Sequence, residues 1–359
     1  MNHKKINLAV LFGGKSCEHE VSLSSASEVI KALDKSKYNI IPIAITYEGK
    51  WLIGDKGQEY LRINTGKAIE IQEDLITKKS LTLRDNKVYG LTNYQEGDIK
   101  ESNIDLVLPL IHGIFGEDGK LQGMLEMLGI PYAFSGTLAS ALAMNKELTK
   151  LVAKNTGLLI ADSILIKKGE DWNNIATAIE FPFVVKPNES GSSVGISLVN
   201  NEMELQIAIE NGFNYGEVLL IEKFIKGREM TVGVIGNNSP KTLPIIEIIP
   251  KSSIFYDYQS KYAQGGSEHI CPADIPEVIK NKLEKDTQAI YQALDCRDVA
   301  RADFIYDPEK GLVYFLEINT IPGMTSTSLV PDAASVAGIN FTQLLDIIIV
   351  EALKRYKKF

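Results

Sequence analysis

The chain has 359 residues, of which 45% are hydrophobic and 23% charged, the make-up of a soluble globular protein with room for two or three domains. Its formal net charge of -8 argues against nucleic acid or an anionic membrane surface as a partner, so any basic site must be local. Three cysteines without paired spacing fit reduced thiols better than a disulfide framework or a zinc site, and the short apolar run near the N-terminus matches neither a signal peptide nor a membrane span, so a cytoplasmic protein is expected.

Ile6 to Phe12 is a nearly continuous apolar run, the pattern of a parallel strand covered on both faces. Gly13-Gly14 and a polar loop from Lys15 to Glu20 follow it. A helical stretch then runs to about Leu33, opened by Ser22 to Ser25, with Ser25 and Glu28 spaced as a capping box. Further strands are expected near Tyr38 to Ile45 and Ile104 to Ile111. This alternation predicts a doubly wound α/β domain, whose ligands sit at the carboxyl ends of the strands. The Gly-Gly turn lacks the G-x-G-x-x-G spacing of a dinucleotide fold. Two loops fill such ends: Lys15 to Glu20, with Glu18 placed to meet a ligand ammonium, and His112-Gly-Ile-Phe-Gly-Glu117-Asp118-Gly119. On position alone, the acids read equally well as solvated or capping side chains.

From Thr137 a helical pattern continues to Gly157, and a smaller unit follows with strands near Ile164, Phe183 to Lys186, Gly195 to Val199 and Val218 to Phe224. Within it, Val184-Val185-Lys186-Pro187 leads into Gly191-Ser192-Ser193-Val194-Gly195 and returns as Ile196-Ser197-Leu198. The backbone amides of such a hairpin tip can cradle phosphate oxygens, with Lys186 as a point charge, although a plain turn would look the same. Residues 251 to 268, KSSIFYDYQSKYAQGGSE, have no periodicity and three tyrosines, which favours a loop that orders over a ligand.

A helix from Ile275 to about Leu294 then leads to two apolar strands carrying the polar triplets Arg301-Ala302-Asp303 and Glu317-Ile318-Asn319. On a period of two, Val299, Arg301, Asp303 and Ile305 share one face, and Val313, Phe315, Glu317 and Asn319 share one face of the next strand. The turn Asp307-Pro308-Glu309-Lys310-Gly311 makes them an antiparallel hairpin. Arg301, Asp303, Glu317 and Asn319 then converge, and such a cluster of charge needs a compensating ligand. Oxygen donors without His or Cys suit a hard cation such as Mg2+, shared with substrate phosphates; the alternative is a structural Arg-Asp-Glu salt bridge.

The strings GGKSCEHEVS, HGIFGEDG, LQGMLE, VVKPNESGSSVG, FYDYQSKY, RADF and EINTIPGMTSTSLVP occur in the order found in D-alanine-D-alanine ligases of the ATP-grasp superfamily, and the chain resembles that family from residue 6 to about 352. Asn145 stands where the family commonly has Asp, and Asp298 where it has Gly. The resemblance implies an N-terminal α/β domain (1–136) followed by a two-part ATP-grasp fold, a small central part (137–226) and a C-terminal part (227–359). It implies ATP as substrate, joining two D-alanines through a D-alanyl phosphate, with two Mg2+ ions, or Mn2+, held by Asp303, Glu317 and Asn319. Lys146, Lys186 and Ser193 would serve the phosphates, Glu222, Lys223, Phe224 and Ile225 the adenine, and Glu229 the ribose. Glu18, Ser192 and Tyr262 would form a triad joining three domains. His112 and Lys261 would line the amino-acid sites, Ser328 and Leu329 would receive the second carboxylate, and Arg301 with the Gly323 amide would face the oxyanion. A homodimer is implied. A ligase with other substrates would lack the triad; a non-catalytic nucleotide regulator would have lost Arg301 or a metal carboxylate.

Overall fold

The computed structural model describes residues 5–66, 80–84, 87–91, 102–172, 175–191, 194–250 and 267–356. The first strand, Ile6–Gly13, is the centre of a sheet ordered Trp51–Ile53, Tyr38–Ile45, Ile6–Gly13, Leu106–Pro109, and it is parallel to both of its neighbours. Its alternate residues enter two separate cores. Leu8, Val10 and Phe12 pack with Leu23, Ala26 and Ile30 of the helix His19–Ala32, whereas Ala9 and Leu11 pack with Leu121 and Leu125 of the helix Lys120–Met127. Cover on both faces explains the unbroken apolar run. A three-stranded ribbon, Ser80–Arg84, Lys87–Leu91 and Ser102–Asn103, adjoins this unit.

The expected capping box does not form. The helix starts at His19 with Glu18 at its N-cap, so Ser25 and Glu28 lie inside it. Their polarity serves tertiary bonds instead: Ser25 Oγ lies 3.2 Å from His112 Nε2, and Glu28 Oε2 accepts from Ser326 N at 2.6 Å. Ser22 does the same one turn earlier, where its Oγ donates to Leu110 O at 2.5 Å and accepts from Gly13 N at 2.8 Å.

The small sheet is antiparallel, ordered Ser197–Val199, Phe183–Pro187, Val218–Lys223, Ser163–Lys167, and is backed by the helix Glu202–Gly212. The large sheet runs Ser267–Ile270, Ile246–Pro250, Arg228–Ile235, Val299–Asp307, Leu312–Asn319, Leu159–Ile160. The helices Thr137–Met144 and Lys146–Asn155 bury Ala139, Ala143 and Ala153 in the core of this large sheet, beside Leu283, Phe304 and Phe315. They thus pack with the C-terminal sheet, although the sequence groups them with the small unit: their apolar stripe has no counterpart in the small sheet's core.

The segment joining the last sheet to the N-terminal unit centres on Asp298. Its φ of 61° is left-handed, the conformation for which glycine is the usual choice. Its fully buried carboxylate accepts from Phe134 N at 2.7 Å, from Asn237 Nδ2 at 2.9 Å, and from the Arg355 guanidinium of the last helix. Arg355 also donates to Tyr132 O at 2.8 Å. No single helix among the described residues is long and apolar enough to cross a membrane.

Candidate functional site

The small and the large sheet meet at one cleft of roughly 970 Å3, counted with its open mouth, lined among others by Lys146, Lys186, Glu222, Phe224, Glu229, Asp303 and Glu317. Lys223, Ile225 and the apolar side chains of Val184, Ile196, Ile305 and Leu316 also face it. An adjoining hollow reaches Glu117, Asn319 and Thr320. A wall of apolar residues with a few convergent charges is the usual form of a small-molecule site.

The hairpin lies where the sequence puts it, but with a bulge. Arg301 pairs with Asn319 and Asp303 with Glu317, whereas Phe304 pairs with Phe315, so Leu316 is the extra residue. The four residues Val313, Phe315, Glu317 and Asn319 therefore do not share a face. Val313 and Phe315 point into the core of the large sheet, and the bulge turns Leu316 and Glu317 into the cleft. Arg301 grips Asp303 with both arms, Nε to Oδ1 at 2.9 Å and an Nη to Oδ2 at 2.7 Å. Thr231 Oγ1 and Asn319 Nδ2 also donate to that carboxylate, at 2.5 and 3.1 Å. Asp303 is thus held in one orientation by its neighbours, while Glu317 keeps 28% of its side chain exposed and lies 3.7 Å from Lys146 Nζ. Asp303, Glu317 and Asn319 offer only oxygen acceptors, a donor set that suits Mg2+ when substrate phosphates complete its shell.

Lys146 opens the helix Lys146–Asn155, and Asn145 is its N-cap, accepting from Leu148 N at 3.0 Å while its Nδ2 donates to Glu189 at 2.7 Å. Lys146 Nζ donates to Ser190 O at 2.5 Å, which ties the start of that helix to the hairpin tip. At the cleft wall, the buried Glu222 carboxylate takes the Lys186 ammonium on Oε2 at 2.6 Å and, from behind, the Lys150 ammonium on Oε1. Burial pushes the Glu222 carboxyl up, but the two lysines outweigh it and hold it below the ordinary range. Lys150 is absent from the sequence prediction, yet it stands four residues after Lys146 and so on the same helix face, a spacing that could have found it.

On the N-terminal side, Glu18 is buried where two loops close on it. A Cβ on Gly113 would lie 2.3 Å from Glu18 Oε2, and one on Gly191 would lie 2.5 Å from the same atom. Only glycines allow the HGIFGEDG loop and the hairpin tip to approach that carboxylate. His112 is buried, with Nδ1 3.1 Å from Ile321 O and Nε2 3.2 Å from Ser25 Oγ. The carbonyl requires the proton on Nδ1, so Nε2 accepts from the serine; burial lowers the imidazole's pKa. Glu117 joins the same loop to the segment after the hairpin, accepting from Gly113 N at 2.9 Å and Ile321 N at 3.0 Å, and burial followed by the nearby Glu18 charge pushes its carboxyl up.

Ser328 caps the helix Leu329–Val336 and receives Thr325 N on Oγ at 3.1 Å, and a Cβ on Gly323 would come within 2.9 Å of that oxygen. The Leu329 side chain is sunk in the core, which leaves its backbone amide as the group at the helix start able to meet an anion. The site residues Ser192, Ser193, Lys261 and Tyr262 lie outside the described residues, as do residues 251–266 of the loop expected from 251 to 268, whose last two residues instead open the strand Ser267–Ile270.

Family models described as "D-ala D-ala ligase N-terminus" and "D-ala D-ala ligase C-terminus" match residues 7–135 and 152–350. The D-alanine--D-alanine ligase of Chloroherpeton thalassium is 40% identical over 367 residues, covering 100% of this chain and 98% of the relative. Among solved structures, the D-alanine-D-alanine ligase from Coxiella burnetii superposes with a TM-score of 0.83 at 29% identity, covering 99% of this chain and 96% of that one. The Bacillus anthracis D-alanine--D-alanine ligase complexed with ATP gives 0.73 at 32% identity, covering 98% and 99%.

Proposed function

The chain belongs to the D-alanine-D-alanine ligase family, and from that premise we propose that it joins two D-alanine molecules at the expense of ATP for cell-wall precursor synthesis, in the cleft described above. The observation that carries the reading is the convergence of Lys146, Lys186, Asp303 and Glu317, charges drawn from three parts of the chain, on one cleft with an apolar wall. Adenine would lie between Val184, Ile196 and Leu316, with its edge against the strand end Glu222 to Ile225 and its ribose toward Glu229. The triphosphate would then run toward Lys186 and Lys146.

A carboxylate is a poor acyl donor. Its oxygen would attack the γ-phosphorus, ADP would depart, and the acyl phosphate so formed would be open to the second amine. When that amine, having shed a proton, bonds to the acyl carbon, phosphate leaves with the original carboxylate oxygen. Mg2+ held at Asp303, Glu317 and Asn319 would supply charge neutralisation on the phosphates. The protein's own work is positioning: Glu18 would hold the first ammonium, Arg301 and the Gly323 N–H would meet the oxyanion, and Ser328 with the Leu329 amide would hold the second carboxylate. Ser192 and Tyr262 would complete a triad with Glu18, and Lys261 on the loop with Tyr262 would help exclude water. A cytoplasmic homodimer without nucleic-acid or membrane partners belongs to the same proposal, resting on family resemblance and charge.

The test is ADP formation with Mg2+ and a panel of D-alanine, D-serine and D-lactate. Turnover that requires D-alanine and yields one dipeptide per ADP supports the reading. ATP consumption indifferent to D-alanine, or equal depsipeptide yield from D-lactate at pH 7, refutes it.

A further inference from the structure

The arrangement around Glu222 places two cations on one anion, and their surroundings differ. Lys150 does not line the cleft. Its ammonium donates to Ala161 O at 2.8 Å, to Ser163 Oγ at 2.9 Å and to Glu222 Oε1, which uses all three of its N–H bonds. It is therefore a fixed charge behind the wall and cannot reach a ligand. Lys186 faces the cleft and meets the other carboxylate oxygen of Glu222.

We propose that Lys150 is a positioning residue for the nucleotide: it neutralises Glu222 from behind, so that the positive charge of Lys186 remains available to a polyphosphate. The inference rests on the reading of Lys186 as a phosphate ligand. With both lysines present, the trio carries a net charge of about +1 at the cleft wall, since two ammonium groups share one carboxylate. Without Lys150 the remaining pair is neutral, and Lys186 would have to leave a buried carboxylate unpaired in order to reach a phosphate, which is costly. The charge at the cleft thus depends on a residue that touches no substrate.

The experiment separates phosphate from base by calorimetry with two probes, inorganic tripolyphosphate and adenosine, on Lys150→Met, Glu222→Gln, the double variant and Lys186→Ala. Lys150→Met should weaken tripolyphosphate binding about tenfold or more, the scale of one charge-assisted contact, and leave adenosine unchanged. Adding Glu222→Gln to Lys150→Met should restore tripolyphosphate binding, because the competing anion is gone. Glu222→Gln alone should tighten tripolyphosphate binding while weakening adenosine, and it decides the matter should Lys150→Met not fold. Equal losses for both probes in Lys150→Met would mean a merely structural lysine and overturn the proposal, as would weaker or unchanged tripolyphosphate binding in Glu222→Gln. If Lys186→Ala loses tripolyphosphate and Lys150→Met does not, Lys186 stands as the phosphate ligand and only the role of Lys150 falls. If Lys186→Ala keeps full affinity, the phosphate reading itself fails, and this inference with it.

Discussion

At the level of single residues, Glu317 and Asp303 look alike in the sequence and differ in the structure. Asp303 is fixed in orientation by Arg301, Thr231 and Asn319, whereas Glu317 projects from a bulge toward Lys146. Glu317→Gln should therefore abolish Mg2+-dependent turnover and leave the melting temperature within a few degrees, because a partly exposed side chain contributes little to stability. A variant that melts far lower yet retains activity would make Glu317 structural. His112 gives a pH prediction. Burial depresses its folded-state pKa below the ordinary 6.5, so the stability it contributes is present above about pH 6.5 and is lost as pH falls toward the folded value, with a slope of at most about 1.4 kcal/mol per pH unit for one proton. Thermal unfolding between pH 7 and pH 5 should show a shallower decline in His112→Gln than in the parent, and identical slopes would contradict it. The identities of these residues were legible from strand alternation and loop position. The turn of Val313 and Phe315 away from the face of Glu317 was not, because a bulge adds one residue without a local sequence mark and reverses every side chain after it.

At the level of elements, the start of the helix Lys146–Asn155 ties stability to the site. Asn145→Ala should cost about 1 kcal/mol of stability, as loss of an N-cap does, and raise the KM for ATP, since Lys146 is the first residue of that helix. Asn145→Asp keeps the cap but sets a second carboxylate against Glu189, where the amide now donates. It should recover the cap's contribution only when combined with Glu189→Gln; chemical denaturation of the three variants checks this, and equal stability of Asn145→Asp with and without Glu189→Gln would count against it. The strands Ile6–Gly13 and Tyr38–Ile45 follow from the sequence almost residue for residue, since burial on both faces leaves a run that little else explains. The capping box at Ser25 and Glu28 misled because serine and glutamate carry the same pattern whether they bond to the helix's own amides or to His112 and Ser326 on other segments. The break at Asn145 was invisible to periodicity for the opposite reason: both flanking helices continue one apolar stripe.

For the whole molecule, one core joins the ends of the chain. Leu8 and Phe12 of the first strand share it with Leu344, Ile348 and Ala352 of the last helix, and Asp298 with Arg355 closes its edge. Removing one partner of a buried pair leaves an uncompensated charge and typically costs about 3–5 kcal/mol. Arg355→Met should therefore lower the unfolding free energy by that order, and Arg355→Met combined with Asp298→Gly should recover part of it, since glycine also relieves the left-handed backbone. Additive losses in the double variant would show that the two residues act separately. None of this pairing was legible in advance, because Asp298 and Arg355 are 57 residues apart and nothing local marks either as buried.

Activation of a carboxylate by ATP in this cleft leaves a signature in the fate of one oxygen atom, which isotope labelling follows. D-alanine carrying 18O in both carboxylate oxygens is incubated with ATP, Mg2+ and the protein, and the released phosphate is examined by mass spectrometry. Attack of the carboxylate on the γ-phosphorus, followed by displacement at the acyl carbon, transfers one labelled oxygen to phosphate for each dipeptide formed. Phosphate released without label while dipeptide accumulates would contradict an acyl phosphate and, with it, the role assigned to every residue around the cleft.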